Sequence, residues 1–201
     1  MPKISNERKL ERRTSIINAA ITLFAQKGFH DVNSAELAAY AGVAEGTIFH
    51  YFKTKDDILL HALPEVVHRL IVALRREDDT EQPVNVRLLR FVGNHIRLAR
   101  ENPVLARFLI VELRQTPEFL VRYPGFHPLS EYLDFLREIL SAGMEDGSLR
   151  NVDLECAVAV IFGTMDFILT QWHFGESDTD PEVMLAFLRD IIYNGLKPEV
   201  K

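Results

Sequence analysis

Between Glu45 and Lys55 the chain gathers side chains suited to a nucleic-acid duplex. Thr47, His50 and Tyr51 carry hydrogen-bonding tips, and Lys53 and Lys55 carry cations that neutralise phosphates. Gly46 lacks a Cβ and lets a sugar–phosphate backbone come close. A helix start after Thr54 adds amide donors for another phosphate. Glu45 has two readings: an anion suited to the first turn of a helix, or an acceptor for a cytosine amine. Phe49 and Phe52 read as core packing rather than base stacking.

No comparable set points to catalysis. The chain has no strand-borne nucleophile motif, no glycine-rich phosphate loop and no HExxH pattern. His61 and His68 lie seven apart, which is poor metal-ligand spacing. The single cysteine, Cys156, excludes an internal disulfide and an all-cysteine zinc site, and reads as a small apolar filler. No enzyme activity, metal or cofactor is expected.

The 201 residues are 47% hydrophobic and 26% charged, with unremarkable glycine and proline content. Those are globular values for one or two domains. The longest uncharged apolar run, Cys156 to Met165, falls short of the ~18 residues a membrane span needs. With no targeting segment visible at the start, the expectation is a soluble cytoplasmic protein without a membrane partner. The net charge of −6 hides an asymmetry. Residues 1–60 hold eight basic and seven acidic side chains, the rest 15 and 22. Positive charge is densest at Lys3, Arg8, Lys9, Arg12 and Arg13. Such a split fits a DNA-facing module followed by an acidic body.

The elements that would position these residues are helices throughout. Ile17, Ala20, Ile21 and Phe24 form an i, i+3, i+4, i+7 stripe over roughly 10–27. Asn33 with Glu36 opens a helix of about 34–41, and Ala41-Gly42-Val43 is a tight turn. A second short helix covers about 45–51. Thr54 with Asp57 starts a longer one, which Pro64 is expected to kink or split near residue 63. Further helices are expected at about 83–101, 103–115, 129–143, 154–174 and from 181 to about 194. Asn102-Pro103 should open the second of these as cap and first residue, and Thr116-Pro117 repeats the device. Two short helices joined by a glycine turn behind a longer helix are the parts of a helix-turn-helix reader. The expected architecture is all-α, with about nine helices.

From Ile17 to Leu60 the chain resembles the TetR/AcrR-type transcriptional regulators, in the runs IINAAITLFAQKGF and SAELAAYAGVAEGTIFHYFKTKDDIL. The resemblance covers about a quarter of the chain. It implies that Thr47, Tyr51 and Lys55 touch phosphate and groove, that His50 is the variable reading position, and that Gly46 opens the recognition helix. It also implies a phosphate contact at Ser34. Ala44-Glu45 departs from the family's usual Ser-Lys, removing a hydroxyl cap and adding an anion. The domains implied are 1–54, a DNA-binding module with a basic arm, and 55–201, a helical effector and dimerisation body.

Two helices of that body are apolar on more than one face, so they must be covered on more than one side. Val158, Ile161 and Ile168 on one, with Met184, Phe187, Leu188 and Ile191 on the other, are expected to form a two-fold homodimer. A dimer reads a near-palindromic double-stranded operator. The resemblance further implies a hydrophobic small-molecule effector that releases the DNA. Phe91, Leu105, Phe108, Leu109 and Phe119 are expected to line its pocket, with Leu133, Phe162, Met165 and Trp172. His95, Glu112 and Asp166 would supply polar groups, Asp166 either to a ligand or to a packing partner. Val111–Thr116, the Gly143–Arg150 turn and Ile161–Asp166 are similar to TetR-type repressors of fatty-acid degradation, which implies a long-chain acyl-CoA. A multidrug- or aromatic-responsive regulator is the alternative, and an architectural DNA binder without effector the third reading.

Overall fold

The computed structural model describes residues 6–114, 117–175 and 178–198, so Lys3 lies outside it. All regular structure among the described residues is helical. The elements are α1 (Asn6–Lys27), α2 (Ser34–Ala41), α3 (Glu45–Tyr51), α4 (Lys55–Glu77) and α5 (Val84–Glu101). They continue as α6 (Pro103–Glu112), α7 (Pro117–Arg122), α8 (Ser130–Glu145), α9 (Leu154–Phe174) and α10 (Pro181–Leu196).

Side-chain caps set the starts of α2, α4, α9 and α10. Asn33 accepts the Glu36 amide at 2.9 Å, and Gly42 ends α2 at φ +68°, a conformation that favours glycine. The Thr54 hydroxyl accepts the Asp57 amide at 3.1 Å, while the Asp57 carboxylate accepts the amides of Lys53 and Thr54 at 2.9 and 3.2 Å. That is a reciprocal capping box. Asp153 accepts the Cys156 amide and Asp180 the Glu182 amide, both at 2.8 Å. Asn102 departs from expectation: its side-chain amide donates back to the Leu98 carbonyl at 3.2 Å, closing α5 instead of opening α6. Nor does Pro64 split α4. The proline is exposed while Leu63, Val66 and Val67 beside it are buried, so packing holds both turns in one helix.

The chain groups into two compact units, one up to Val66 together with Val104–Pro128, the other Val67–Pro103 with the chain from Leu129 on. By this grouping α6 and α7 join the N-terminal helices, whereas a division at 54/55 assigns them to the body. The first unit packs around Ile16, Phe24, Leu37, Ile48, Phe52 and Leu59. Phe108 of α6 and Phe119 of α7 are buried in the same core. Polar ties secure them: Arg107 donates to the Ala25 carbonyl, and Arg122 and Tyr123 donate to Asp56 at 2.9 and 3.0 Å.

In the second unit α5, α8, α9 and α10 pack on one another. Phe91, Tyr132, Phe135, Ile139 and Met165 are buried there. By length and composition α9 is apolar enough to cross a membrane. Its inner residues Val158, Ile161, Met165 and Ile168 are buried within the unit.

Candidate nucleic-acid interface

Helix α3 is anchored through Ile48 and through Phe52, which closes it, and both are buried. The spacing of four puts these two on one face. The rest of the helix carries what can meet a ligand. Glu45, Gly46 and His50 are exposed, and Thr47 and Tyr51 are half-buried. Phe49 is 53% exposed, which corrects its expected place in the core: it stands one residue, about 100°, off the anchoring face. A Cβ at Gly46 would meet nothing within 4 Å, so no packing inside the chain requires glycine there.

Ser34 and Glu45 come together, the Ser34 hydroxyl donating to the Glu45 carboxylate and tying the start of α2 to the start of α3. Ala44 gives α3 no side-chain cap. The carboxylate at Glu45 therefore supplies the negative charge that the first turn favours. The same bond engages Ser34 within the chain.

Lys55, expected at a phosphate, has partners within the chain. Its ammonium donates to the carbonyls of Phe29, His30 and Val32 at 2.7, 3.1 and 2.9 Å, and lies 4.6 Å from the Phe29 ring centroid. An ammonium has three protons, and all three are used. Burial lowers the Lys55 pKa from its usual value, opposed by Asp56, Asp31 and Glu112. Lys55 thus closes the turn between α1 and α2, while Lys53 stays exposed beside it. Buried Glu112 works on the same turn, accepting the Phe29 amide at 2.9 Å.

The residues expected to line an effector pocket fall into two groups. Leu105, Phe108, Leu109, Glu112 and Phe119 belong to the first unit and pack on its core or hold its turn. Phe91, His95, Leu133, Phe162, Met165, Asp166 and Trp172 belong to the second. There Tyr132, which the sequence reading did not select, is the centre of a ring cluster. Its ring centroid lies 5.3 Å from those of Phe91 and His95 and 5.5 Å from that of Phe162. Its hydroxyl lies 3.0 Å from His95 Nδ1. Burial lowers the His95 pKa to about 4 and raises that of Tyr132, so both are held neutral. Met165 is fully buried, while Leu133, Phe162, Asp166 and Trp172 are half-buried.

The expected dimer residues also divide. Val158, Ile161, Ile168 and Leu188 are buried inside their own unit, so they cannot be the outward face. Met184 is half-buried, and Phe187 and Ile191 are exposed. The exposed apolar stripe on α9 is Val160, Phe167 and Phe174, seven apart; on α10 it is Val183, Phe187 and Ile191, four apart. Both spacings keep a stripe on one side of a helix.

Together the capped α2–turn–α3 arrangement, its outward polar tips and a separate helical body define a helix-turn-helix regulator. Residues 16–62 match the model of the tetR family of bacterial regulatory proteins, and residues 62–195 that of the YsiA-like C-terminal region. The chain belongs to the tetR family: it is a DNA-binding, ligand-responsive transcriptional regulator and not an enzyme. It is 28% identical over 191 residues to the fatty acid metabolism regulator protein of Bacillus subtilis, spanning 94% of this chain and 98% of that one. The fatty acid degradation regulator FadR of Bacillus halodurans superposes with a TM-score of 0.79 at 30% identity, covering 92% of this chain and 99% of that one. Bacillus subtilis FadR in complex with stearoyl-CoA superposes with a TM-score of 0.80 at 29% identity, covering 90% and 98%.

Proposed function

We propose that this regulator is a homodimeric repressor that reads a near-palindromic operator and is released by a long-chain acyl-CoA. The observation that carries the effector is the likeness over 90% of the chain to a regulator solved with stearoyl-CoA. Apolar and aromatic side chains of the body suit an acyl chain. The coenzyme's phosphates need cations, and several arginines of the second unit are committed elsewhere. Arg75 pairs with Glu138, Arg87 with Asp78, Arg97 with Glu77 and Glu101, and Arg137 with Glu155 and Asp134. Docking of the head group therefore requires other cations or the opening of these pairs.

Six exposed apolar residues in two stripes on α9 and α10 support the dimer, since exposed apolar surface of that kind suits an association site. Thr47, His50 and Tyr51 are assigned to the groove and Lys53 to phosphate, in a cytoplasmic protein. Ser34 and Lys55 act through the fold, and Glu45 through the start of α3.

The test is a fluorescent duplex, selected from a randomised library against the purified protein, titrated with stearoyl-CoA, with stearate and with free coenzyme A. Release by stearoyl-CoA alone supports the reading. Release by a hydrophobic cationic dye but not by stearoyl-CoA replaces it with the multidrug alternative, and no release by any of these removes the acyl effector.

A further inference from the structure

The first ten residues of α1 bury almost nothing. From Asn6 to Ser15 every side chain is exposed except half-buried Arg13, and the core begins at Ile16. Burial does not explain why the helix runs nearly three turns beyond its core, because helices of this kind draw their stability from packing. Its charges give it little help, with one opposite-sign pair, Arg8 and Glu11, at i, i+3. Arg8 and Arg12, Lys9 and Arg13, and Glu7 and Glu11 are all like pairs at i, i+4, a spacing that weakens a helix when the signs match. Arg8 and Lys9 also stand in the first turn, where the helix dipole disfavours cations.

The pattern is segregation by sign. At about 100° per residue, the four cations share an arc of about 140°, and Glu7 and Glu11 lie on the other side. The acidic side looks onto an open groove lined by Leu10, Thr14, Asn18 and Tyr40. The basic arc is placed by Arg13, whose guanidinium lies 5.4 Å from the centroid of the Phe52 ring. Phe52 closes α3, so the arc starts at the C-terminal end of the helix that carries Thr47, His50 and Tyr51. Lys9 and Arg12 are exposed.

We propose that Lys9 and Arg12, with Arg13 seated on Phe52, form a second DNA-contacting element that grips the phosphate backbone beside the segment read by α3. The proposal rests on the DNA-binding assignment and extends it to the exposed start of α1, which the reading of α3 leaves without a role. Charge complementarity selects the occupant: a cationic arc next to a duplex-reading helix meets the phosphates of that duplex. Such contacts carry no base information. They raise affinity and its salt dependence and leave the preferred sequence alone.

The experiment measures affinity against salt for the wild type and for Lys9→Gln/Arg12→Gln, on a fluorescent duplex selected from a randomised library against the wild type. Glutamine keeps the helix propensity. The expected result is a salt slope smaller by about 1.8 per bound chain, at about 0.9 per lost phosphate contact. The order of preference among single-base variants of the duplex should stay unchanged, and the thermal midpoint should not fall, since the change relieves two like-charge pairs. Arg76→Gln/Arg90→Gln, in the other unit, makes the same change in net charge and is expected to leave the slope unaltered. An unchanged slope in the first variant overturns the proposal, and so does an equal loss in the second, which would make the effect one of bulk charge. A wild type that selects no duplex overturns the DNA reading itself, and the proposal with it.

Discussion

A Cβ at Gly46 meets no atom of the chain, and the residue lies in the first turn of a helix. Gly46→Ala is therefore expected to stabilise the fold by about 0.5–1 kcal/mol while weakening DNA binding. Denaturant unfolding and duplex titration would show the two effects moving in opposite directions; a variant that binds DNA as well as the wild type would remove the close-approach role. His95 gives a second outcome. The folded chain holds it neutral, with a pKa of about 4 against an ordinary 6.5. The unfolded chain binds the extra proton between those values, so this contribution is complete above pH 6.5 and is lost as pH falls toward 4, by about 3 kcal/mol at most. Urea unfolding at neutral and acid pH should show a larger acid loss in the wild type than in His95→Phe, and equal losses would exclude His95 as the source. The sequence made the anchoring of Ile48 and Phe52 legible, because their spacing of four alone puts both on one face. It did not make the internal partners of Lys55 legible, because the three carbonyls that its ammonium meets lie 23 to 26 residues away. Tyr132 was missed for the same reason, since no local pattern reveals a partner 37 residues away.

Elements were easier to read than contacts, because caps are local. Asn33, Thr54 with Asp57, Asp153 and Asp180 each act within three residues of the boundary they set. Asn102 misled because an asparagine before a proline serves either neighbouring helix, and here it serves the one behind it. The ends of α8 bring out a constraint that composition does not show. A Cβ at Gly143 would stand 2.6 Å from Leu149 Cγ and Cδ1 and 2.9 Å from Val84 Cγ1. Both neighbours are buried, so neither has solvent to move into. Gly143→Ala should cost about 1–3 kcal/mol by overpacking. A lowered thermal midpoint is the expected measurement, and an unchanged one would show that the turn at Leu149 yields freely.

For the whole molecule, the dimer residues expected from sequence mix two faces: Phe187 and Ile191 are exposed, while Val158, Ile161, Ile168 and Leu188 are buried in their own unit. A helix apolar on every side gives no register, so Val158 and Ile168 looked as suitable as Val160 and Phe167. Burial separates them, leaving the stripes at 160, 167, 174 and 183, 187, 191 exposed. Phe187→Asp, which alters an outward residue that is 66% exposed, is expected to leave the chain folded and shift it from dimer to monomer in sedimentation, with weaker operator binding. A dimer that persists in Phe187→Asp and in Phe167→Asp would move the interface elsewhere. The grouping of α6 and α7 with the N-terminal helices was not legible either, because Phe108, Phe119 and Glu112 look like any body residues until their partners are known.

The unbroken course of α4 through Pro64 has a mechanical side. A proline has no amide proton, so the Leu60 carbonyl lacks its partner one turn on, and the ladder is missing a rung at that level. The helix runs on through that level with one hydrogen bond fewer to resist bending. Strain applied along this rod would concentrate at a single known joint instead of spreading over its 23 residues.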